Sequence, residues 1–349
     1  AQGLMRILDL KKHDWVLFGA VVFLCTGGLT TLLSVSKELF LRQLGWVAIA
    51  LCAIFLLSRI DWRPLINYRW AIFGIYASAV LFLLITAFFA PIVRETRSWL
   101  VIGPLHFQAS EFAKAALLIV FAYFFAQRHT SLVHLGNVFH SFLYFALLGG
   151  LVLLQPDLGS ALVFFGLWVG FLLISGMRWR HFAAGSVLVG VLAVLGWLFL
   201  LAGYQKERIR GFLDPEYDAL GVNYSVSQAK IAIGSAGLWG KGFGQGTQLQ
   251  LGFLTEPATD FIFAAFVEEW GIVGGATFVG VFALLLFRIV RIGLRATNNF
   301  SKFICLGSVM IFLIHFIMNV GSNIGLMPVV GIPLPFGSYG GSSIFTKAI

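Results

Sequence analysis

Charge is what this sequence has least of. Asp, Glu, Lys and Arg make up 11% of its 349 residues, whereas soluble domains carry roughly 25%. With 59% hydrophobic residues and a mean hydropathy of +0.91, that scarcity excludes a water-soluble fold. It implies an all-α, multi-span membrane protein. Length alone would allow two or three soluble domains; here one membrane domain, 1–349, absorbs the whole chain. Cysteine is scarce too. Cys25, Cys52 and Cys305 all fall in apolar runs and no CxxC occurs. That excludes a disulfide framework and reads as small buried hydrophobes. No small-residue cleavage pattern follows the first apolar run, so it reads as a span and not a signal peptide. The four residues before Met5 read as a processing remnant.

Acids number 15 against 24 bases, for a net charge of +9. The balance does not indicate nucleic acid, because membrane topology explains where the bases lie. Apolar windows of roughly 17–25 residues mark spans. They fall near 15–35, 43–58, 70–90, 110–127, 137–155, 160–175, 182–202, 260–287 and 303–325. A tenth begins near Ser342 and is cut short at Ile349, which predicts a polytopic bundle of about ten helices with its last helix truncated. One set of flanks holds 13 bases: Arg6, Lys11, Lys12, Arg59, Arg63, Arg69, Arg128, Arg178, Arg180, Arg288, Arg291, Arg295 and Lys302. The opposite short loops hold four: Lys37, Arg42, Arg94 and Arg97. The positive-inside rule then puts the N-terminus in the cytoplasm. It puts the long polar loop at about 203–259 outside, with 91–109, 155–159 and 326–341. Chemistry on that side has no ATP, so its energy comes from an activated substrate or an ion gradient.

The few acids at or inside spans are costly and ask for a reason. Glu111 and Lys114 lie three apart, about 60° apart around one helix. They form either an ion pair that holds helices together or a cation for an anionic ligand, oriented by its partner. Asp157, in the tight turn QPDLG, reads as a helix cap or a ligand-binding acid. Asp260 follows Thr259 at the mouth of the eighth span. It reads as a first-turn acid favoured by the helix dipole, or as a general base at the water boundary. Glu268 and Glu269, two turns deeper, read as structural or coupling residues. In the loop, GSAGLWGKGFGQGTQ offers backbone amides and Lys241 to an anion such as phosphate. It is not a P-loop, since Lys241 is not followed by Ser or Thr and no strand precedes it. The last outer segment, PVVGIPLPFGSYGGSS, has three prolines. Its irregular backbone at membrane depth must line a cavity or be buried in protein.

Five segments together resemble the SEDS family (shape, elongation, division, sporulation) of bacterial cell-wall membrane proteins. They are HFQASEFAK (106–114), QPDLG (155–159), FLDPEYDALGVNYSVSQAKIAIGSAGLWGKGFGQGTQ (212–248), TDFIFAAFVEEWG (259–271) and NIGLMPVVGIPLPFGSYGGSS (323–343). They occur in the family's order, and the forms FLDPE, IAIGS and GTQ look like its rod-elongation branch. Ala258 stands where family members commonly have His, Ala109 where Pro is usual, and Gly337 where a larger apolar residue is usual.

The resemblance implies a peptidoglycan glycosyltransferase of the bacterial cytoplasmic membrane, working at the outer face. It would polymerise lipid II, a disaccharide-pentapeptide on undecaprenyl pyrophosphate. Asp260 would be the catalytic carboxylate, with Glu111 and Lys114 lining the same cavity. Lys114, Arg97 and Arg210 are the candidate cations for the departing pyrophosphate. No cofactor is required; a divalent cation, Mg or Mn, could share that task with Asp260 as a ligand. The implied partners are a class B penicillin-binding protein that cross-links the new strand, other elongation-complex proteins and membrane lipid. The rivals are a lipid II flippase, an ion-coupled transporter and a scaffold for the transpeptidase. The polar residues cluster on the outer side, which favours the enzyme. No inverted repeat or interrupted helix pair is legible, which disfavours the transporter.

Overall fold

The computed structural model describes residues 14–57, 68–91, 96–102, 105–128, 135–177, 179–199, 201, 203–214, 217–218, 221 and 223–348. Arg6, Lys11, Lys12, Arg59, Arg63, Arg94 and Arg178 of the charge count lie outside them. The first helices are α1 (Trp15–Val35), α2 (Lys37–Leu57) and α3 (Arg69–Phe89). A short antiparallel hairpin follows, β1 (Trp99–Ile102) with β2 (Leu105–Gln108). Next come α4 (Ala109–Arg128), α5 (Leu135–Leu154), α6 (Leu158–Ile174) and α7 (Trp179–Phe199). The long loop carries three short helices: α8 (Gly203–Leu213), α9 (Tyr224–Ser235) and α10 (Thr247–Gln250). The chain then forms α11 (Ile262–Arg295), α12 (Asn299–Ile324) and α13 (Gly341–Ala348).

Among the described residues seven helices, α1–α5, α11 and α12, are long and apolar enough to cross a membrane. At 17 residues α6 is shorter, about 25 Å of helix. Three differences from the sequence reading matter. The hairpin is a small β element in a chain expected to be all-helical. The second helix starts at Lys37, so Lys37 and Arg42 lie on it and not in a loop. The eighth span is broken: Gly271, at φ +75°, divides α11 into Ile262–Trp270 and a longer segment running to Arg295.

Among the described residues the helices pack into two large apolar cores that share α12, and a smaller third joins α9 and α10 to the start of α11. One is built on α3–α6 and centres on Phe121, Phe125, Phe164 and Phe171. The other is built on α1, α2, α11 and the segment 334–344. Lipid tails are as apolar as these side chains, so helix association rests on close packing and not on water exclusion. Gly307 on α12 illustrates it. A Cβ there would fall 2.2 Å from Leu118 of α4 and 2.7 Å from Phe171 of α6. At Gly337 a Cβ would sit 3.0 Å from the Leu334 side chain and 3.4 Å from Phe278, a tight fit that leaves little room for a larger residue. Ala109 takes the first helical position of α4, where the N–H lacks an intrahelical partner, so Pro is favoured there but not required. Near the face opposite the loop, Asp14 caps α1 through the Leu17 N–H at 3.0 Å. It also takes two contacts from Arg288 Nη2 at 2.8 and 2.7 Å, tying α1 to α11.

Candidate functional site

Residues 251–261 form a run of turns and bends, and α11 starts only at Ile262 with Phe261 as its cap. Asp260 therefore lies ahead of the helix and not in its first turn. Three consecutive carbonyls of this segment are held by side chains or backbone far away in sequence. The Ala258 carbonyl accepts from Tyr339 N at 2.8 Å. The Thr259 carbonyl accepts from Ser338 Oγ at 2.6 Å. The Asp260 carbonyl accepts from Asn319 Nδ2 at 3.1 Å and Asn323 Nδ2 at 2.8 Å. Asn323 Oδ1 in turn accepts from Ala264 N at 2.9 Å, satisfying one of the N–H groups a helix start leaves open. Gln43 on α2 bonds the Ser338 carbonyl at 3.0 Å and Gly340 N at 3.2 Å. Asn319, Asn323, Ser338 and Gln43 were not singled out from the sequence. Their signal was there: buried amides spaced four apart in an apolar helix need partners.

Asp260 and Thr259 line a cavity of ≈ 2580 Å³. Asp157, Gln108, Tyr339 and Ser343 line the same polar end, with Arg208 from α8. From there the cavity continues between α5, α6 and α7 along Phe142, Phe145, Trp168 and Leu172. It reaches Met177 and His181 near the face opposite the loop. Asp157 is both a cap and a cavity residue. It caps α6 through Ser160 N at 2.9 Å, with longer contacts at 3.4 Å to Gln108 and Ser110.

Glu111 and Lys114 are buried behind this cavity, at 3% exposure each, and are not among its lining residues. Lys114 Nζ bonds Glu111 Oε1 at 2.5 Å and faces His315 Nε2 at 3.2 Å. His315 Nδ1 faces the Pro333 carbonyl at 3.2 Å. A carbonyl only accepts, so Nδ1 carries the proton and Nε2 offers its lone pair to the ammonium. Lys347 of α13 donates to Ser343 Oγ at 2.7 Å. Two links connect the cluster to the cavity wall: Ser343 itself and, through His315, Pro333.

Glu268 and Glu269 serve the loop. Glu268 accepts from Lys241 Nζ at 2.8 Å, Gln248 N at 2.9 Å, Leu249 N at 3.2 Å and Thr247 Oγ1 at 3.3 Å. Glu269 accepts from Gly244 N at 3.0 Å and from Ser34 of α1. The break at Gly271 frees backbone groups, and the glycine-rich loop takes them. Lys241 N and Gly242 N donate to the Glu268 and Glu269 carbonyls at 2.9 and 3.1 Å. Ile272 N and Val273 N donate to the Gly237 and Leu238 carbonyls at 3.0 and 3.1 Å. A broken helix in a membrane is tolerated when its freed groups are re-satisfied in this way.

Three of the sequence-derived cations are thus not brought to the Asp260 cavity. Lys241 is engaged with Glu268 and Thr247. Arg210 pairs with Glu207 at 3.0 Å and lies 5.9 Å from the Trp197 ring. Arg97 is exposed beside the lining residues Thr96 and Ser98. Among the described residues no group of three or more His, Cys, Asp or Glu converges as a metal site. A divalent ion at Asp260 would need oxygens from the substrate to fill its shell.

A family model described as "Cell cycle protein", covering FtsW, RodA and SpoVE, matches residues 8–349. Peptidoglycan glycosyltransferase MrdB of Escherichia coli K12 is 38% identical over 305 residues, 87% of this chain and 81% of that protein. Stage V sporulation protein E of Bacillus subtilis is 34% identical over 317 residues, 87% of this chain and 82% of that protein. Among solved structures, a chain of a peptidoglycan synthase complex that coordinates polymerization and crosslinking superimposes with a TM-score of 0.83. It is 31% identical, with 97% of this chain and 95% of that chain covered. The rod shape determining protein RodA of Thermus thermophilus gives 0.70 at 28% identity, covering 97% and 93%. The chain belongs to the FtsW/RodA/SpoVE, or SEDS, family.

Proposed function

We propose that this member of the FtsW/RodA/SpoVE family is a peptidoglycan glycosyltransferase, with Asp260 as its general base. It polymerises lipid II at the outer face of the cytoplasmic membrane, with the N-terminus in the cytoplasm. The observation that carries the reading is the form of the cavity. Its polar end holds Asp260 on three anchored carbonyls. Its remainder is an apolar channel along α5–α7 of the kind a polyprenyl tail needs.

The Asp260 carboxylate takes the proton of the acceptor sugar's 4-hydroxyl. The hydroxyl oxygen attacks the donor's anomeric carbon, the bond to pyrophosphate breaks, and a β-1,4 bond forms with inversion. A positioned base contributes roughly 10²–10⁴-fold. Alignment of the two sugars and cations on the departing pyrophosphate supply the remainder. Lys114, oriented by Glu111, acts on that leaving group through the cavity wall. A magnesium or manganese ion held by Asp260 and substrate oxygens would neutralise the same charge. A class B penicillin-binding protein, with other elongation-complex proteins, receives and cross-links the strand.

A flippase would pass the pyrophosphate sugar along the whole channel. The Phe142, Phe145 and Trp168 lining makes that costly for a charged headgroup. Labelled lipid II in vesicles, with the transpeptidase present, separates the two activities. Glycan product without headgroup scrambling is the expected result; scrambling without product would overturn the reading.

A further inference from the structure

We infer that Lys347, with Ser343, forms an anion-holding wall of this cavity that takes the pyrophosphate of the lipid-linked sugar. The inference deepens the polymerase reading and rests on it for the ligand's identity. Lys347 and Ser343 are four residues apart, so they share a face of α13. Lys347 Nζ donates to Ser343 Oγ at 2.7 Å, and Ser343 lines the cavity together with Asp260 and Tyr339. The lysine is thus one hydroxyl away from the substrate space.

The charge count behind the wall is uneven. Glu111 is one negative charge, already bonded by Lys114 at 2.5 Å. Lys347 is a second positive charge in electrostatic contact with both. His315 is neutral, because its Nε2 lone pair faces the Lys114 ammonium. The cluster therefore carries one surplus positive charge, with Glu111, Lys114 and His315 buried and Lys347 half-buried beside them. Charge partly withdrawn from water in this way favours a counter-charge. Ser343 offers the route. Its oxygen accepts from Lys347 and its own proton stays available, for Glu111 in the present arrangement or for a ligand oxygen in the cavity. The cavity also holds the carboxylates of Asp157 and Asp260, so a pyrophosphate needs cations to remain there. Arg42 of α2 and Arg208 of α8 are lining cations, and Lys347 adds a positive charge behind Ser343.

The test is binding in lipid nanodiscs, without turnover. Undecaprenyl pyrophosphate and uncharged undecaprenol are the probes, and wild type, Lys347→Gln, Lys347→Arg and Ser343→Ala are the proteins. The expected result is an approximately tenfold loss of pyrophosphate affinity in Lys347→Gln, about 1.4 kcal/mol, with undecaprenol binding unchanged. Lys347→Arg keeps the charge and retains the preference for pyrophosphate. A Lys347→Gln protein with wild-type preference overturns the inference. If Lys347→Gln does not fold, Ser343→Ala decides: reduced preference supports the wall, unchanged preference overturns it. Wild-type preference for pyrophosphate in a protein that makes no glycan would sink the polymerase reading alone. Polymerisation by a protein whose Lys347→Gln variant binds normally would sink this inference alone.

Discussion

Two lysine–glutamate pairs in this protein look alike and serve different ends. Lys114–Glu111 is 2.5 Å long and Lys241–Glu268 is 2.8 Å long, and both carboxylates are buried. They differ in what surrounds the acid. Glu268 is saturated by donors from one loop, two of them backbone N–H groups at the start of α10. Its lysine reaches toward water at 23% exposure. That pair locks the glycine-rich loop into the break of α11. Glu111 instead shares its surroundings with a second lysine and with Ser343 of the cavity wall. A saturated ion pair fixes structure, whereas a pair with surplus positive charge beside a cavity is placed to meet an anion.

Lys114→Met breaks the comparison most strongly. Turnover of lipid II should fall roughly 10²-fold, while stability falls by less than the roughly 3–5 kcal/mol of a fully broken buried pair, because Lys347 still offsets the charge of Glu111. Unchanged turnover would remove Lys114 from the chemistry. Glu268→Gln should act through stability instead. Breaking a buried pair costs about 3–5 kcal/mol, and the partial exposure of Lys241 reduces this to about 2 kcal/mol. Stability and activity should then fall together; a variant that loses activity at full stability would place Glu268 in the chemistry.

Asn323→Ala sharpens a third point. It removes one of two amides on the Asp260 carbonyl, and misplacement of the base should slow turnover about tenfold. Steady-state kinetics with kcat falling more than KM changes is the expected signature. The smallest effect is at Asp14. Its hydrogen bond from Arg288 holds the carboxyl below its ordinary value. This stability is present above the unfolded value, near pH 4. It is lost as pH falls through the lower folded value. Both groups are partly exposed, so Asp14→Asn should cost about 1 kcal/mol or less. A thermal melt that differs from wild type at pH 7 and converges with it in strong acid would show it.

The spans were legible because a bilayer imposes length and apolarity on any helix that crosses it. The expected 15–35 and the observed Trp15–Val35 agree for that reason. The break at Gly271 was not legible. A glycine inside an apolar run has no periodicity to mark it, and its φ of +75° is set by the loop that docks there. Asp260 stood out as a costly acid, yet what holds it comes from Asn319, Asn323 and Ser338, more than fifty residues away. Long-range partners also decided the cations. Lys241 and Arg210 were sound choices by residue type, but Glu268 and Glu207 engage them. Lys347 has no motif to mark it in the sequence, and only the fold brings it to Ser343 and Glu111.

The central claim is that an anchored Asp260 carboxylate acts as the base. The most direct measurement is chain growth from labelled lipid II by Asp260→Asn with the transpeptidase present. Polymer formation should fall roughly 10²-fold or more, while the thermal unfolding temperature stays close to wild type, because the anchors bond the backbone and not the carboxylate. Wild-type chain growth by that variant would contradict the account.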